Sequence, residues 1–328
     1  MNERLSLPTA ADVADAARLL AGVAVRTPLL SNPALDEVVG ARVFLKPETL
    51  QRTGSFKFRG AYNRIARISA DRRAAGVVAY SSGNHAQGVA AAARLVGMPA
   101  LIVMPADTPA LKRERTAALG AEIVLYERDR EDRAAIARRI ADERGATLVP
   151  PFDDPLVMAG QGTIGLEIVD DLAAPRLAPD ILLVPASGGG LMGGIALAVK
   201  HRAPAARIVA AEPEGFDDYQ RSLRTGRRER NARMSGSICD GLLTVEPGVL
   251  TFEVNRRLVQ DGVTASDDEV RSAMTFAFRE LKLVVEPSGA IALAALLARR
   301  IGVAGRTVVV VLSGGNVDAA TFAAAIVR

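Results

Sequence analysis

The sequence predicts an α/β fold with largely parallel sheets and helices on both faces. Two patterns carry this reading: short apolar, β-branched runs alternate with longer stretches of helical period, and most runs are apolar on both faces. Strands buried in a parallel sheet have that double-sided character. With 328 residues, 49% hydrophobic and 24% charged, the chain is long enough for two lobes around a substantial core.

Residues 1–20 carry Glu3, Arg4, Asp12, Asp15 and Arg18. These charges leave no apolar stretch of signal-peptide length and fit an amphipathic helix starting near Thr9. Strands are expected at 43–45, 77–80, 100–104, 122–126, 181–185, 207–211 and 307–312, each a run such as Thr307-Val308-Val309-Val310-Val311-Leu312. Helices are expected between them at 88–96, 111–119, 130–144, 191–201, 267–281 and 290–299. Residues 54–149 form a compact alternating set, and Pro150-Pro151 interrupts the chain before Phe152-Asp153-Asp154-Pro155. The expected organisation is a large lobe from 1–53 and 150–328, with 54–149 inserted as a small mobile lobe.

Composition excludes several functions. No charge-free run approaches membrane-spanning length. Net charge is only +4, and the densest basic cluster, Arg227-Arg228-Glu229-Arg230, reads as a solvated loop without aromatic interleaving, so no nucleic-acid partner is expected. The single cysteine, Cys239, allows neither an internal disulfide nor a zinc cluster and suits a reducing, cytoplasmic setting.

Lysine is scarce: Lys46, Lys57, Lys112, Lys200 and Lys282 are the five among 41 basic residues. Lys57 lies in Thr53-Gly54-Ser55-Phe56-Lys57-Phe58-Arg59-Gly60-Ala61, between aromatic rings. An amine in apolar surroundings is biased toward its neutral, nucleophilic form, which arginine cannot reach. Such a lysine can condense with a carbonyl, including that of pyridoxal phosphate. The plain alternative is a solvated lysine that merely starts a helix.

Three further loops follow strands. Ser81-Ser82-Gly83-Asn84-His85-Ala86-Gln87-Gly88 opens a helix whose first amides suit a substrate carboxylate, or is simply an N-cap turn. Ser187-Gly188-Gly189-Gly190-Leu191 offers glycine amides to a phosphate. Gly188, Gly190 and Gly193 also satisfy Gly-x-Gly-x-x-Gly, with Glu212 placed like a ribose-binding acid, so a nicotinamide oxidoreductase competes. The Ser313-Gly314-Gly315-Asn316-Val317 loop ends the most hydrophobic strand, where its hydroxyl can bond a heterocyclic nitrogen, or is simply a strand-ending turn. Ala211-Glu212-Pro213-Glu214-Gly215-Phe216-Asp217-Asp218 is an acidic turn whose carboxylates and free carbonyls suit Mg²⁺ or Ca²⁺, or is simply one of the common acidic turns. His201 reads as a surface helix end. A nicotinamide enzyme leaves Lys57, Ser82 and Ser313 without a role, whereas one pyridoxal phosphate accounts for all four loops.

The sequence resembles the fold-type II pyridoxal-phosphate enzymes of the threonine/serine dehydratase and serine racemase family. The resemblance runs from Leu45-Lys46-Pro47-Glu48 to the Ser313 loop and includes Ala159-Gly160-Gln161-Gly162-Thr163. It implies a two-domain, tryptophan synthase β-like fold and an ammonia-lyase converting a β-hydroxy amino acid to a 2-oxo acid and ammonia. It further implies that Lys57 holds the cofactor and moves the Cα proton. Phe56 would pack on the cofactor ring, Asn84 bond its 3′-oxygen, Ser187, Gly188, Gly189, Gly190 and Leu191 surround its phosphate, and Ser313 meet the ring nitrogen. Ser82, Gly83, Asn84 and His85 would bind substrate, Ser82 facing Lys57 as a second acid or base. Glu212, Asp218 and the Phe216 carbonyl match the family's divalent-metal site. Alternatives are a serine or related racemase and a hydroxyaspartate dehydratase; Phe152 resembles the dehydratases, and 235–241 is less typical. A homodimer is expected, and about a dozen residues after Asn316 leave no expected C-terminal regulatory domain.

Overall fold

The computed structural model of the protein describes residues 6–108 and 110–327. Glu3 and Arg4 lie outside them. The chain opens with α1 (Ala10–Leu20), where Thr9 caps Asp12 N and the Asp12 carboxylate caps Thr9 N in return. Then come β1 (Leu30–Ser31), α2 (Pro33–Val39), β2 (Arg42–Pro47) and, after two short 3₁₀ turns, α3 (Lys57–Ile65). The middle runs β3 (Val77–Tyr80), α4 (Asn84–Val96), β4 (Ala100–Pro105), α5 (Ala110–Ala118), β5 (Glu122–Tyr126), α6 (Arg133–Arg144) and β6 (Thr147–Leu148). Next are α7 (Pro155–Ala173), β7 (Ile181–Pro185), α8 (Gly190–Arg202), β8 (Arg207–Pro213), α9 (Asp218–Thr225) and α10 (Val249–Leu258). The chain closes with β9 (Asp261–Ala265), α11 (Asp267–Arg279), α12 (Pro287–Leu297), β10 (Thr307–Leu312) and α13 (Ala319–Ile326).

Two sheets result, a six-stranded one ordered β1-β2-β10-β7-β8-β9 and a four-stranded one ordered β5-β4-β3-β6. All pairings are parallel except β1 with β2. Both faces of each sheet are covered, as the apolar runs require. In β7, Ile181 and Leu183 pack toward α11 and α12, while Leu182 and Val184 pack toward α7 and α8. Val77 and Ala79 of β3 face the α3–α4 layer, and Val78 faces α6. Among the described residues no helix is long and apolar enough to cross a membrane.

Each expected strand falls on an observed one. The pattern misses β1 and β6, two residues each, and β9, whose leading Asp261-Gly262 reads as a turn. It also misses α7, because Gly160, Gly162 and Gly165 look like loop residues. They are glycines because other helices press against them. A Cβ on Gly160 would stand 2.7 Å from the Arg59 carbonyl oxygen and the Gly60 Cα, and one on Gly162 2.6 Å from the Gly194 carbonyl oxygen. The α3–α7 contact brings backbone to backbone just beyond Lys57.

A buried charge network reinforces that contact. The Arg59 guanidinium, 1% exposed, bonds both oxygens of Glu48 at 2.8 Å and both of Glu167 at 2.6 and 2.9 Å. It also reaches Thr163 Oγ1 and the Val25 carbonyl. Lys46 Nζ completes the group, donating to Glu167 Oε2 and the Thr27 carbonyl at 2.6 Å each. Burial alone would lower the Arg59 pKa, but Glu48 and Glu167 outweigh it and raise the value.

Candidate active site

A cavity of about 700 Å³ lies where the two sheets present their strand C-termini, the usual place for ligands in open α/β folds. Lys57, the first residue of α3, stands on its wall. Three hydrogen bonds hold the preceding segment to the β10 exit. Phe56 N donates to the Ser313 carbonyl at 3.1 Å and Gly315 N to the Gly54 carbonyl at 2.9 Å, together making an isolated antiparallel bridge between Ser55 and Gly314. Asn316 Nδ2 donates to the Thr53 carbonyl at 2.6 Å. Gly54 has φ +71, and a Cβ there would meet Asn316 Oδ1 at 2.8 Å. Lys57 and Ser313, 256 positions apart in sequence, therefore share one wall.

The Lys57 amine donates to the Pro151 carbonyl at 2.7 Å and sits 5.1 Å from the Phe56 ring centroid. Desolvation lowers its pKa to about 8. It starts a helix, as the plain alternative held, but it is half-buried and faces the cavity.

Ser82, Gly83, Asn84 and His85 line the same cavity at the start of α4, which no side chain caps. Asn84 is held from both sides: Oδ1 accepts from Asn316 Nδ2 at 2.8 Å and Nδ2 donates to Glu286 Oε1 at 2.6 Å. Burial, reinforced by Asp240, pushes the Glu286 carboxyl up to about 8. His85 is 2% exposed, and its Nε2 lies 2.9 Å from the Val149 carbonyl. A carbonyl only accepts, so Nε2 carries the proton and Nδ1 the lone pair. Burial, then the charge of Lys57, lowers the His85 pKa to about 3, so the ring is neutral.

The Ser187–Leu191 loop completes the wall. Gly189 needs its left-handed φ of +94, and a Cβ there would overlap Tyr219 Oη at 1.8 Å. The loop's carbonyls are drawn backward: Thr251 Oγ1 donates to Gly188 O at 2.5 Å and Asn255 Nδ2 to Gly189 O at 3.0 Å. No side chain caps α8. An uncapped helix start with its carbonyls occupied elsewhere suits an anion such as a phosphate.

Glu212, Phe216 and Asp218, expected to hold a metal, do not line this cavity. Both Glu212 oxygens accept amides at 2.8 Å, from Tyr219 and Gln220, at the start of α9. Asp218 Oδ1 accepts from Asn231 Nδ2 at 2.6 Å, while the buried Oδ2 has no partner. Burial and their mutual charge raise Glu212, and burial raises Asp218 to about 7. Among the described residues no three His, Cys, Asp or Glu converge as a metal cluster. His201 is exposed at the end of α8.

Sequence reasoning missed Glu286, the Pro151 carbonyl and the clamping role of Asn316. Asn316 was visible in the Ser313 loop; Glu286 had one signal, an acid amid the apolar 283–297 stretch.

A desolvated lysine facing a glycine-rich anion loop and a strand-end serine is the architecture of a cofactor-dependent enzyme. The family model described as "Pyridoxal-phosphate dependent enzyme" matches residues 20–314, and the chain belongs to that family. It is 46% identical over 312 residues to an L-threo-3-hydroxyaspartate ammonia-lyase of Pseudomonas sp, covering 95% of this chain and 96% of that one. It is 43% identical to an L-threonine ammonia-lyase of Thermotoga maritima, covering 94% of this chain and 76% of that one. The solved structure of maize serine racemase superposes with a TM-score of 0.91 at 37% identity, covering 98% of each chain.

The Glu286 shift has a stability consequence. The unfolded chain loses this proton near 4.5 and the folded one near 8, so folding takes up a proton between them. This contribution to stability falls as pH rises through that window and levels off above it. Glu286→Gln keeps an Oε1 acceptor for Asn84 but does not titrate. Urea unfolding of the cofactor-free protein at several pH values should show the variant gaining on wild type as pH rises; a constant difference excludes the buried acid.

Proposed function

We propose that the protein is a pyridoxal-phosphate-dependent ammonia-lyase of the threonine/serine dehydratase type. The supporting observation is the Lys57 amine, lowered to about 8 by desolvation and facing the Ser187–Leu191 loop across one cavity. The residues present fit the cofactor: uncapped amides for its phosphate, the Phe56 ring beside the amine, and Ser313 at the strand end. The cofactor supplies, when bound, an electron sink for the pair left on the substrate's Cα.

The chain's own residues do the rest. The first amides of α4 at Ser82 to His85 bind the substrate carboxylate. Asn84, clamped by Asn316 and Glu286, would offer its remaining N–H to the cofactor's 3′-oxygen. The Ser313 hydroxyl would bond the ring nitrogen without charging it, which would favour elimination over transamination. Lys57 Nζ takes the Cα proton. Loss of the β-hydroxyl and then hydrolysis give a 2-oxo acid and ammonia. Ser82, opposite, is the group that would return a proton in racemisation. Residues 54–149, which carry the four-stranded sheet, form a lobe that closes on substrate.

The cavity mouth favours a dicarboxylic substrate as a second reading. Lys112 pairs with Asp240 at 2.9 Å and Arg128 with Asp107 at 3.1 Å. Arg133 only stacks on the Tyr80 ring at 5.7 Å, with no carboxylate partner among the described residues. Its acidic neighbours, Glu131 and Asp132, are engaged by backbone amides. A distal carboxylate, as in 3-hydroxyaspartate, would pair with Arg133. The separate Glu212–Asp218 pair, with the partnerless Oδ2, fits a divalent cation completed by the Phe216 carbonyl.

Three experiments test these readings. Wild type given pyridoxal phosphate should show a near-ultraviolet to visible band that changes with L-threonine or L-serine as 2-oxo acid appears. Lys57→Ala should lack both the band and the product, and retained turnover would sink the mechanism. Arg133→Ala should raise KM for 3-hydroxyaspartate about tenfold, one charge-assisted bond's worth, with little change for threonine; equal effects on both exclude the dicarboxylate reading. Mg²⁺ should raise the melting temperature of wild type but not of Asp218→Asn, and a wild type indifferent to Mg²⁺ and Ca²⁺ removes the metal.

A further inference from the structure

His85 is a buried titratable group on the cavity wall that the proposed chemistry leaves without a side-chain role. Its ring is fixed at one end only. Nε2–H donates to the Val149 carbonyl at 2.9 Å, which forces the lone pair onto Nδ1. Nδ1 is buried and has no hydrogen-bond partner. Leaving a buried acceptor unmatched is unfavourable, so a donor is expected to visit it.

A candidate on the adjoining helix is Lys57. Helices α3 and α4 touch at Gly88, where a Cβ would stand 3.1 Å from the Lys57 carbonyl carbon and the Phe58 nitrogen. His85 lies three residues before Gly88 and so on the same face of α4. After burial, the charge of Lys57 lowers the His85 pKa, as a neighbouring cation does. A charged lysine carries three protons, of which the Pro151 carbonyl accepts one at 2.7 Å.

We propose that His85 is a positioning residue for Lys57, its Nδ1 lone pair accepting a hydrogen bond from Nζ when the amine leaves the Pro151 carbonyl. The neutral ring holds the amine beside the substrate without competing for its proton. This inference rests on Lys57 being the cofactor lysine, and the test separates the two.

Two substitutions divide the ring's two nitrogens. His85→Asn puts an oxygen acceptor about where Nδ1 stands and gives up the Val149 bond. His85→Gln carries an N–H out to the Nε2 position and leaves no acceptor at Nδ1. Cofactor-free protein is exposed briefly to pyridoxal phosphate across a pH series and quenched with borohydride, and cofactor fixed on the Lys57 peptide is measured by mass. The midpoint of this capture reports the amine, independently of turnover. Wild type and His85→Asn should share a midpoint near 8. His85→Gln should fall lower by about one unit, because its ammonium has lost an acceptor. A Gln midpoint equal to wild type, or an Asn midpoint displaced as far as Gln, overturns the role of His85 alone. No capture on wild-type Lys57 overturns this inference and the cofactor reading together.

Discussion

The placement of Lys57 depends on the buried guanidinium of Arg59, two residues further along α3. Six bonds leave that group, toward Glu48 at the end of β2, Glu167 and Thr163 on α7, and the Val25 carbonyl. Two acids face two bases, Arg59 and Lys46, so the cluster is neutral in sum. That balance makes its burial tolerable, since an unpaired ion there would cost several kcal/mol. A lysine could not replace Arg59, because only the planar fork reaches two carboxylates at once. The close α3–α7 crossing at Gly60 and Gly160 follows from the same geometry, because the network draws the helices to backbone contact. With α3 anchored from below and residues 53–56 tied to 313–316 from above, the lysine has little freedom except at its tip.

The electrostatics of the cavity follow from what is left unpaired there. The strong cation of this region is fully neutralised below the cavity floor and cannot act on it. On the wall, Lys57 is lowered to about 8, Glu286 raised to about 8, and His85 lowered to about 3, each chiefly by desolvation. All three are displaced toward their neutral forms. A site with such walls gives up or takes up a proton at little electrostatic cost, which suits chemistry at a Cα–H more than the binding of a permanent charge. Fixed charges of both signs also line the cavity, with Lys112 paired to Asp240 and Arg128 to Asp107, and Arg133 beside them.

The local parts of this site were legible in the sequence and the non-local parts were not. Lys57, the Ser82 turn, the glycine loop and Ser313 each sit in a short segment whose composition announces an unusual environment. Glu286 and Asn316 gain meaning only by meeting Asn84, 202 and 232 positions away. No window of sequence contains that meeting. The same holds for α7: its glycines read as breaks because their physical reason, the backbones of α3 and α8, lies elsewhere in the chain. The acidic turn at 212–218 is an intermediate case. Its carboxylates were visible, but the use of Glu212 to cap α9 was not.

Pro150-Pro151 was legible only as punctuation, and the structure gives it a second function. The segment joins the four-stranded sheet to α7, and Pro151 O holds the Lys57 amine while the preceding Val149 O holds the His85 ring. Proline suits such a rail because it contributes a carbonyl with no N–H to be satisfied. The amine of Lys57 is held here by the Pro151 carbonyl at 2.7 Å, an acceptor that a proline supplies without adding a donor beside it.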